Sequence, residues 1–314
     1  MRHLLLIISS LIIGTATLTA EELTRTTLHY ATNDNTELYL DRYMLAEMPE
    51  TPRPCMIFAF GGGFVGGKRD QDYYMPYFTR LAEAGYVVLS IDYRLGLKNL
   101  PSDINIVGMI EAMVNAVTIA VEDIYSATNY AIANAEEWMI DTNKIMISGS
   151  SAGAITAVQA EWLRCNGAPE AEVLPEEFRY AAVVSCAGAI FSTNGKPKFE
   201  DKPAPMLLFH GTSDSNVPYN HASIFGIGYY GSEYIAKQLD KLDAPYYFYS
   251  AEYVDHSLAG TPLFEQCDLI LQFINDYVIE GRTLRTRCDV QCIGAERKPT
   301  RFSVKDYLNA NYSK

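Results

Sequence analysis

Gly149-Ser150-Ser151-Ala152-Gly153 is the stretch of this 314-residue chain that decides its fold. It follows a predicted strand, 144–148, and precedes a segment whose apolar residues recur at helical spacing. A Gly-x-Ser-x-Gly sequence between a strand and a helix is typical of a sharp turn that lifts the serine hydroxyl above the end of a sheet. The sequence therefore predicts Ser151 as a nucleophile. A plain strand-to-helix turn is the alternative. Ser150 is the competing candidate for the nucleophile, but it lacks glycines two residues away on both sides.

The segments around this turn predict the rest of the fold. Several are almost entirely apolar: 55–60, 86–91, 181–186 and 206–209. Such strands must be covered on both faces, and the helical segments between them supply the crossovers that parallel pairing needs. Two alternating segments, 23–30 and 37–44, predict a hairpin. We therefore predict an α/β fold with a mostly parallel, doubly wound sheet, helices on both faces and an antiparallel N-terminal hairpin.

The N-terminus has the layout of a secretory signal peptide. A basic start is followed by the apolar run Leu4–Ile13 and by small and polar residues up to Ala20. We expect residues 1–20 to be a signal peptide, 21–280 to form the α/β domain and 281–314 to be a polar C-terminal extension. The protein is then expected to be secreted or periplasmic. A buried strand or an anchor at the N-terminus is the alternative.

Composition and charge limit the partners and cofactors. With 25 Lys and Arg against 38 Asp and Glu, the formal net charge is −13, which repels nucleic acid and anionic lipid surfaces. We expect no nucleic-acid partner, no membrane anchor, no metal site and no cofactor, and the sequence leaves the oligomeric state open. The six cysteines are too sparse for a disulfide scaffold. Cys288 and Cys292, in a polar stretch, are expected to form one disulfide after export.

A second motif, Phe60-Gly61-Gly62-Gly63-Phe64, follows an earlier strand. Attack on an ester produces a tetrahedral oxyanion, and backbone N–H groups aimed at it lower the barrier. Glycines let the backbone approach the substrate closely enough to provide them. A glycine-rich turn or a phosphate loop is the alternative, although neither a Walker nor a dinucleotide-binding spacing is present.

These two motifs, with a third at residues 92–95, resemble the carboxylesterase and lipase branch of the α/β-hydrolase superfamily over most of residues 50–275. The resemblance implies an α/β-hydrolase fold and a serine esterase that works through an acyl-enzyme. It also implies that the oxyanion contacts the amides of Gly62, Gly63 and Ala152.

The same resemblance implies the other two members of a catalytic triad. Asp214 fits the family's pattern of Gly, two residues, Asp, two residues and Val-Pro, and Asp201 and Asp92 are weaker alternatives. The base is expected after the last strand, in the chain order Ser, Asp, His, which selects His256. His221 follows the acid too closely and is the weaker alternative.

The substrate is the least defined part of the prediction. Phe64, Tyr219 and Tyr229 are aromatic residues near glycines and are predicted to line the substrate pocket, with ordinary packing as the alternative. By analogy, the substrate is a small-molecule or carbohydrate ester, such as acetyl or feruloyl groups on plant polysaccharides. A serine exopeptidase of the same fold and a catalytically inactive binding protein remain alternative functions.

Overall fold

The computed structural model describes residues 22–47, 49–101, 103–294 and 296–302, so the expected signal peptide lies outside the described residues. Within these ranges the strands are β1 (Leu23–Asn33), β2 (Thr36–Leu45), β3 (Arg53–Ala59), β4 (Val87–Ile91), β5 (Ile140–Ser150), β6 (Val183–Cys186), β7 (Ala189–Ser192), β8 (Met206–Gly211), β9 (His221–Ile224), β10 (Ile227–Gly231), β11 (Tyr246–Glu252) and β12 (Arg285–Gln291). The α-helices are α1 (Met75–Glu83), α2 (Ile106–Ala133), α3 (Ala152–Cys165), α4 (Ser232–Lys241), α5 (Pro262–Glu265) and α6 (Cys267–Ile274). Short 3-10 helices cover Asp72–Tyr74, Pro169–Val173 and His256–Ala259, and a π-helical turn, Asn275–Ile279, follows α6.

A large mixed sheet organises the described residues. Its strand order is β1-β2-β4-β3-β5-β6-β8-β11-β12. β1, β2 and β4 pair antiparallel, and every neighbour from β4 to β12 pairs parallel. The predicted hairpin is the β1–β2 pair, which turns at Asp34 and Asn35, both with positive φ.

Helices cover both faces of this sheet. All five residues of β4 and all four of β6 are buried, although successive side chains point to opposite faces. Helix α1 packs with α5 and α6, whereas α2 packs with α3. The predicted α/β fold is therefore confirmed. In the described ranges, no helix combines the length and apolar character needed to cross a membrane.

Two elements differ from what the sequence suggests. β7, β10 and β9 form a second, three-stranded antiparallel sheet in segments for which the sequence predicts no strand. β12 lies in the predicted polar extension, yet it pairs parallel with β11 along its whole length. The sheet therefore continues past residue 280, and its last strand alternates exposed and half-buried residues because it forms the edge.

The expected disulfide between Cys288 and Cys292 is wrong, because both cysteines are free. Cys288 lies within the extended strand β12 and Cys292 directly follows it. At about 3.3 Å per residue, four extended residues separate the two Cα atoms by roughly 13 Å. A disulfide needs a Cα separation below about 7 Å.

Candidate active site

Ser151 occupies a sharp turn between β5 and α3. Its φ of 50° and ψ of −115° are unfavourable for an L-residue and are typical of a nucleophile elbow. The flanking glycines are required by packing, because a Cβ on Gly149 would lie 2.2 Å from the carbonyl carbon of Gly153. A Cβ on Gly153 would lie 2.1 Å from the carbonyl oxygen of Ala59. The backbone of the turn is therefore in close contact with itself, at the two glycines, and with the end of β3.

Ser151, His256 and Asp214 form a continuous hydrogen-bonded chain. Ser151 Oγ lies 2.8 Å from His256 Nε2, and His256 Nδ1 lies 2.7 Å from Asp214 Oδ2. The imidazole is 21 % exposed and the carboxylate is fully buried, so solvent reaches the base and does not reach the acid. In this geometry the imidazole can accept the serine proton while the carboxylate holds its other nitrogen.

Asp214 is held as an anion by its surroundings. Its Oδ1 accepts hydrogen bonds from the backbone N–H groups of Asn216, at 2.8 Å, and Val217, at 2.9 Å. Burial alone would raise the pKa of Asp214, but hydrogen bonds and charge interactions with His210 and His256 outweigh it and hold this pKa well below its usual range. The carboxylate is therefore charged at neutral pH and can stabilise an imidazolium.

His210 is a contact of the acid that the sequence does not reveal by motif. It is fully buried on β8, and its Nε2 lies 3.4 Å from Asp214 Oδ2 and 3.2 Å from the carbonyl oxygen of Val217. Its Nδ1 lies 2.8 Å from Ser232 Oγ. Its signal in the sequence is a polar residue at the end of an apolar strand, four positions before Asp214.

The glycine motif after β3 forms a tight turn facing the elbow. Gly62 and Gly63 both have positive φ, at 141° and 62°, and Gly62 accepts from the N–H groups of Val65 and Gly66. A Cβ on Gly62 would lie 2.1 Å from the carbonyl oxygen of Gly66, so only glycine fits there. The turn brings backbone, rather than side chains, close to the nucleophile.

Three backbone donors remain for a ligand at this turn. Gly61 N–H donates to the Tyr74 hydroxyl at 3.0 Å. Within the described part of the chain, the N–H groups of Gly62, Gly63 and Ala152 donate to no protein acceptor. Ala152 is the first residue of α3, where an N–H has no partner inside the helix.

A small cleft of about 30 Å³ lies at Ser151. Its described lining residues are Gly63, Phe64, Ser151, Ala152, Ile155, Asn216, Val217 and Tyr229. Phe64 and Tyr229 therefore lie where the sequence predicts them, and Gly62 is in the adjacent turn without lining the cleft. Ile155, Asn216 and Val217 were not predicted, although each lies within four residues of a predicted triad member.

Tyr219 does not line this cleft, so its prediction as a pocket residue is wrong. Its hydroxyl lies 2.8 Å from Ser250 Oγ on β11 and accepts from Arg287 on β12 at 3.2 Å. Its ring packs against that of Phe248, with centroids 5.8 Å apart. The alternative reading, ordinary packing, describes this residue.

The weaker candidates for acid and base lie elsewhere. Asp92 is held by Arg69 at 2.5 Å, and Asp201 is an exposed loop residue. His221 is exposed on β9 and stacks on Tyr230, with ring centroids 5.9 Å apart. The geometry therefore favours Asp214 and His256.

Comparisons with known proteins agree with this fold. A family model described as BD-FAE matches residues 40–190. The esterase LipC of Mycobacterium tuberculosis is 30% identical over 173 residues, which is 55% of this chain and 37% of that protein. The fumonisin B1 esterase of Sphingopyxis macrogoltabida is 29% identical over 119 residues, or 37% of this chain and 21% of that protein. The chain thus spans well under half the length of the curated relatives it matches.

Solved structures show the same fold. Esterase 2 of Thermogutta terrifontis with bound butyrate has a TM-score of 0.61 at 23% identity, over 83% of this chain and 95% of that one. The same esterase phosphoramylated by tabun also has a TM-score of 0.61 at 23% identity, over 83% of this chain and 96% of that one. Fold and site together define an α/β-hydrolase. Over part of its length the chain is similar to proteins named as esterases, in line with the resemblance to carboxylesterases that its sequence motifs carry.

Proposed function

We propose that this chain hydrolyses carboxylic esters through an acyl-enzyme intermediate. The observation that carries the proposal is the Ser151–His256–Asp214 chain, with hydrogen-bond separations of 2.8 and 2.7 Å. Beside it lie three backbone N–H groups that have no acceptor among the described residues. A nucleophile, a base, an orienting acid and an oxyanion site are the groups that acyl transfer needs. The names of the two curated relatives, both esterases, support the same reaction.

In the proposed mechanism, Ser151 Oγ attacks the ester carbonyl carbon as its proton moves to His256 Nε2. The negative oxygen of the tetrahedral intermediate accepts hydrogen bonds from the N–H groups of Gly63 and Ala152, and from Gly62 as the loop adjusts. His256 then returns the proton to the departing alcohol. Water attacks the acyl-enzyme by the same route, which releases the acid and regenerates Ser151.

The substrate is proposed to carry a small group on the side that enters the cleft. A volume of about 30 Å³ is close to the share of one water molecule, so it accommodates a methyl group beside the carbonyl. An acetyl ester is small enough to fit, and an acetylated carbohydrate is one kind of molecule that carries such an ester. A feruloyl ester requires room outside the cleft.

We also propose that the protein is exported, because residues 1–20 have the layout of a signal peptide. Fractionation of expressing cells and N-terminal sequencing of the product test this proposal. A product in the cytoplasmic fraction that retains residue 1 would contradict it.

Ser151→Ala tests the proposed function. The variant should lose p-nitrophenyl acetate hydrolysis and keep the wild-type melting temperature, since it removes one hydroxyl from a partly exposed turn. A fluorophosphonate probe should label Ser151 in the wild type, located by peptide mass spectrometry. Labelling at Ser150, peptide cleavage without ester cleavage, or no turnover at all would each refute the assignment.

A further inference from the structure

An apolar groove of about 350 Å³ lies beside the cleft at Ser151. We call it the apolar groove and define it by side chains from α2, from the β7–β10–β9 sheet and from the C-terminal segment: Val107, Met113, Phe191, Phe225, Tyr229 and Phe302. Phe225 is fully exposed at the tip of the β9–β10 hairpin, and Val107 is also exposed. Exposed apolar side chains gathered at a concave surface are typical of a binding site.

Tyr229 connects the apolar groove to the cleft, because it lines both. Its ring packs against Phe191 with centroids 4.9 Å apart, and its hydroxyl lies 2.7 Å from Met113 Sδ. The side chain is buried, and β10 holds it by pairing with β7 at the register Tyr229 to Phe191. Tyr229 is therefore the shared wall between the nucleophile and the groove.

The two volumes assign different parts of a substrate to the two spaces. The cleft, about 30 Å³, holds the reacting carbonyl and little more, whereas the groove is more than ten times larger. A larger substituent of an ester held at Ser151 must leave the cleft, and the groove begins at the cleft's own wall. Because its lining is almost entirely apolar, sugar hydroxyls there would lose their hydrogen bonds to water without replacement.

From these observations we propose that the apolar groove binds an alkyl or aryl group of the ester whose carbonyl lies at Ser151. The proposal rests on the proposed function and narrows its substrate class to esters with one short and one extended apolar half, in preference to acetylated carbohydrates. Each methylene buried in such a site raises kcat/KM by about fourfold until the groove is filled.

Two ester series identify the half that enters the groove. In p-nitrophenyl acyl esters from acetate to octanoate the acyl chain grows, and in alkyl acetates from ethyl to octyl the alcohol grows. We expect kcat/KM to rise with chain length in one series, by about fourfold per methylene over the first steps. If the enzyme hydrolyses p-nitrophenyl acetate but kcat/KM stays flat or falls with chain length in both series, the groove proposal is overturned and the proposed function stands. No hydrolysis of any ester refutes the proposed function and the groove with it.

Val107→Glu locates the effect in the groove. It places a charge on the groove wall, and we expect it to lower kcat/KM for the long esters far more than for the shortest ester, so that most of the chain-length gain is lost. Val173→Glu is the matched control: Val173 is 61% exposed against 60% for Val107, and it lies outside the groove on a 3-10 helix. An equal loss for short and long esters in Val107→Glu, or the same change in both variants, overturns the proposal.

Discussion

Asp214→Asn separates the role of the acid from its contribution to packing. Oδ1 accepts two backbone N–H groups, from Asn216 and Val217, so the amide oxygen of an asparagine must occupy that position. Its NH₂ group then faces His256 Nδ1, where the carboxylate accepted at 2.7 Å. A donor at this place forces the imidazole proton onto Nε2. That nitrogen then donates to Ser151 and can no longer accept its proton.

The expected loss of kcat is about 10⁴-fold, the effect of this change in a triad where geometry is preserved, and it corresponds to about 5.5 kcal/mol of barrier. Turnover of p-nitrophenyl acetate and the rate of fluorophosphonate labelling should fall together, because both depend on the same base. Asp201→Asn makes the same chemical change at an exposed loop position and should leave both rates unchanged.

Stability gives an independent reading of the same variant. Since the folded-state pKa of Asp214 is held below the unfolded value of about 3.9, its charged form stabilises the fold above that pH, and this contribution is lost as pH falls toward the folded value. The difference in unfolding free energy between wild type and Asp214→Asn should therefore shrink on acidification below about pH 4. Residual kcat above about one hundredth of wild type would refute the tautomer argument, as would an equal loss in Asp201→Asn.

Three further outcomes are expected. His256→Ala should abolish ester hydrolysis, whereas His221→Ala, at an exposed strand position, should retain it; wild-type turnover without His256 would leave only the serine assigned. Gly153→Ala should lower the free energy of unfolding by about 1–3 kcal/mol in denaturant titrations, because the new Cβ meets β3 backbone that cannot move aside. Gly66→Ala, with open space around its Cβ, should change this free energy little. Equal free energies of unfolding in the two variants would contradict the packing argument. Thiol titration of the denatured, unreduced protein should count six free cysteines, and a count of four would restore a disulfide.

The parts of the site that the sequence predicts are those in which backbone crowding restricts residue type. At Gly149 and Gly153 a Cβ would overlap backbone, so only glycine fits at both positions and the spacing of the two glycines predicts the turn. Gly62 is restricted in the same way by the carbonyl of Gly66. Apolar strands buried on both faces leave an equally direct signal, which predicts a mostly parallel sheet between two layers of helices.

The parts that the sequence does not predict depend on where a chain segment goes after it leaves the sheet. Tyr219 and Tyr229 lie in one aromatic, glycine-rich segment and look equivalent by composition. β10 pairs with β7 and returns Tyr229 to the cleft, whereas Tyr219 hydrogen-bonds with Ser250 on β11. β12 is also difficult to predict from the sequence, because an edge strand with one face in solvent has the same polar composition as an unstructured tail.

The active-site geometry is a property of the sheet edge rather than of any one loop. The donor turn, Ser151, Asp214 and His256 follow the carboxyl ends of β3, β5, β8 and β11, which run parallel in one sheet. Ser151 and His256 are 105 residues apart in the chain, yet strand register brings their atoms to 2.8 Å. Gly211, the last residue of β8, shows how tightly the acid and base loops are joined: a Cβ there would lie 2.2 Å from the carbonyl oxygen of Val254. Because the base loop packs directly on the strand that carries the acid, the spacing within the triad is set by backbone contact, and side-chain adjustment has little part in it.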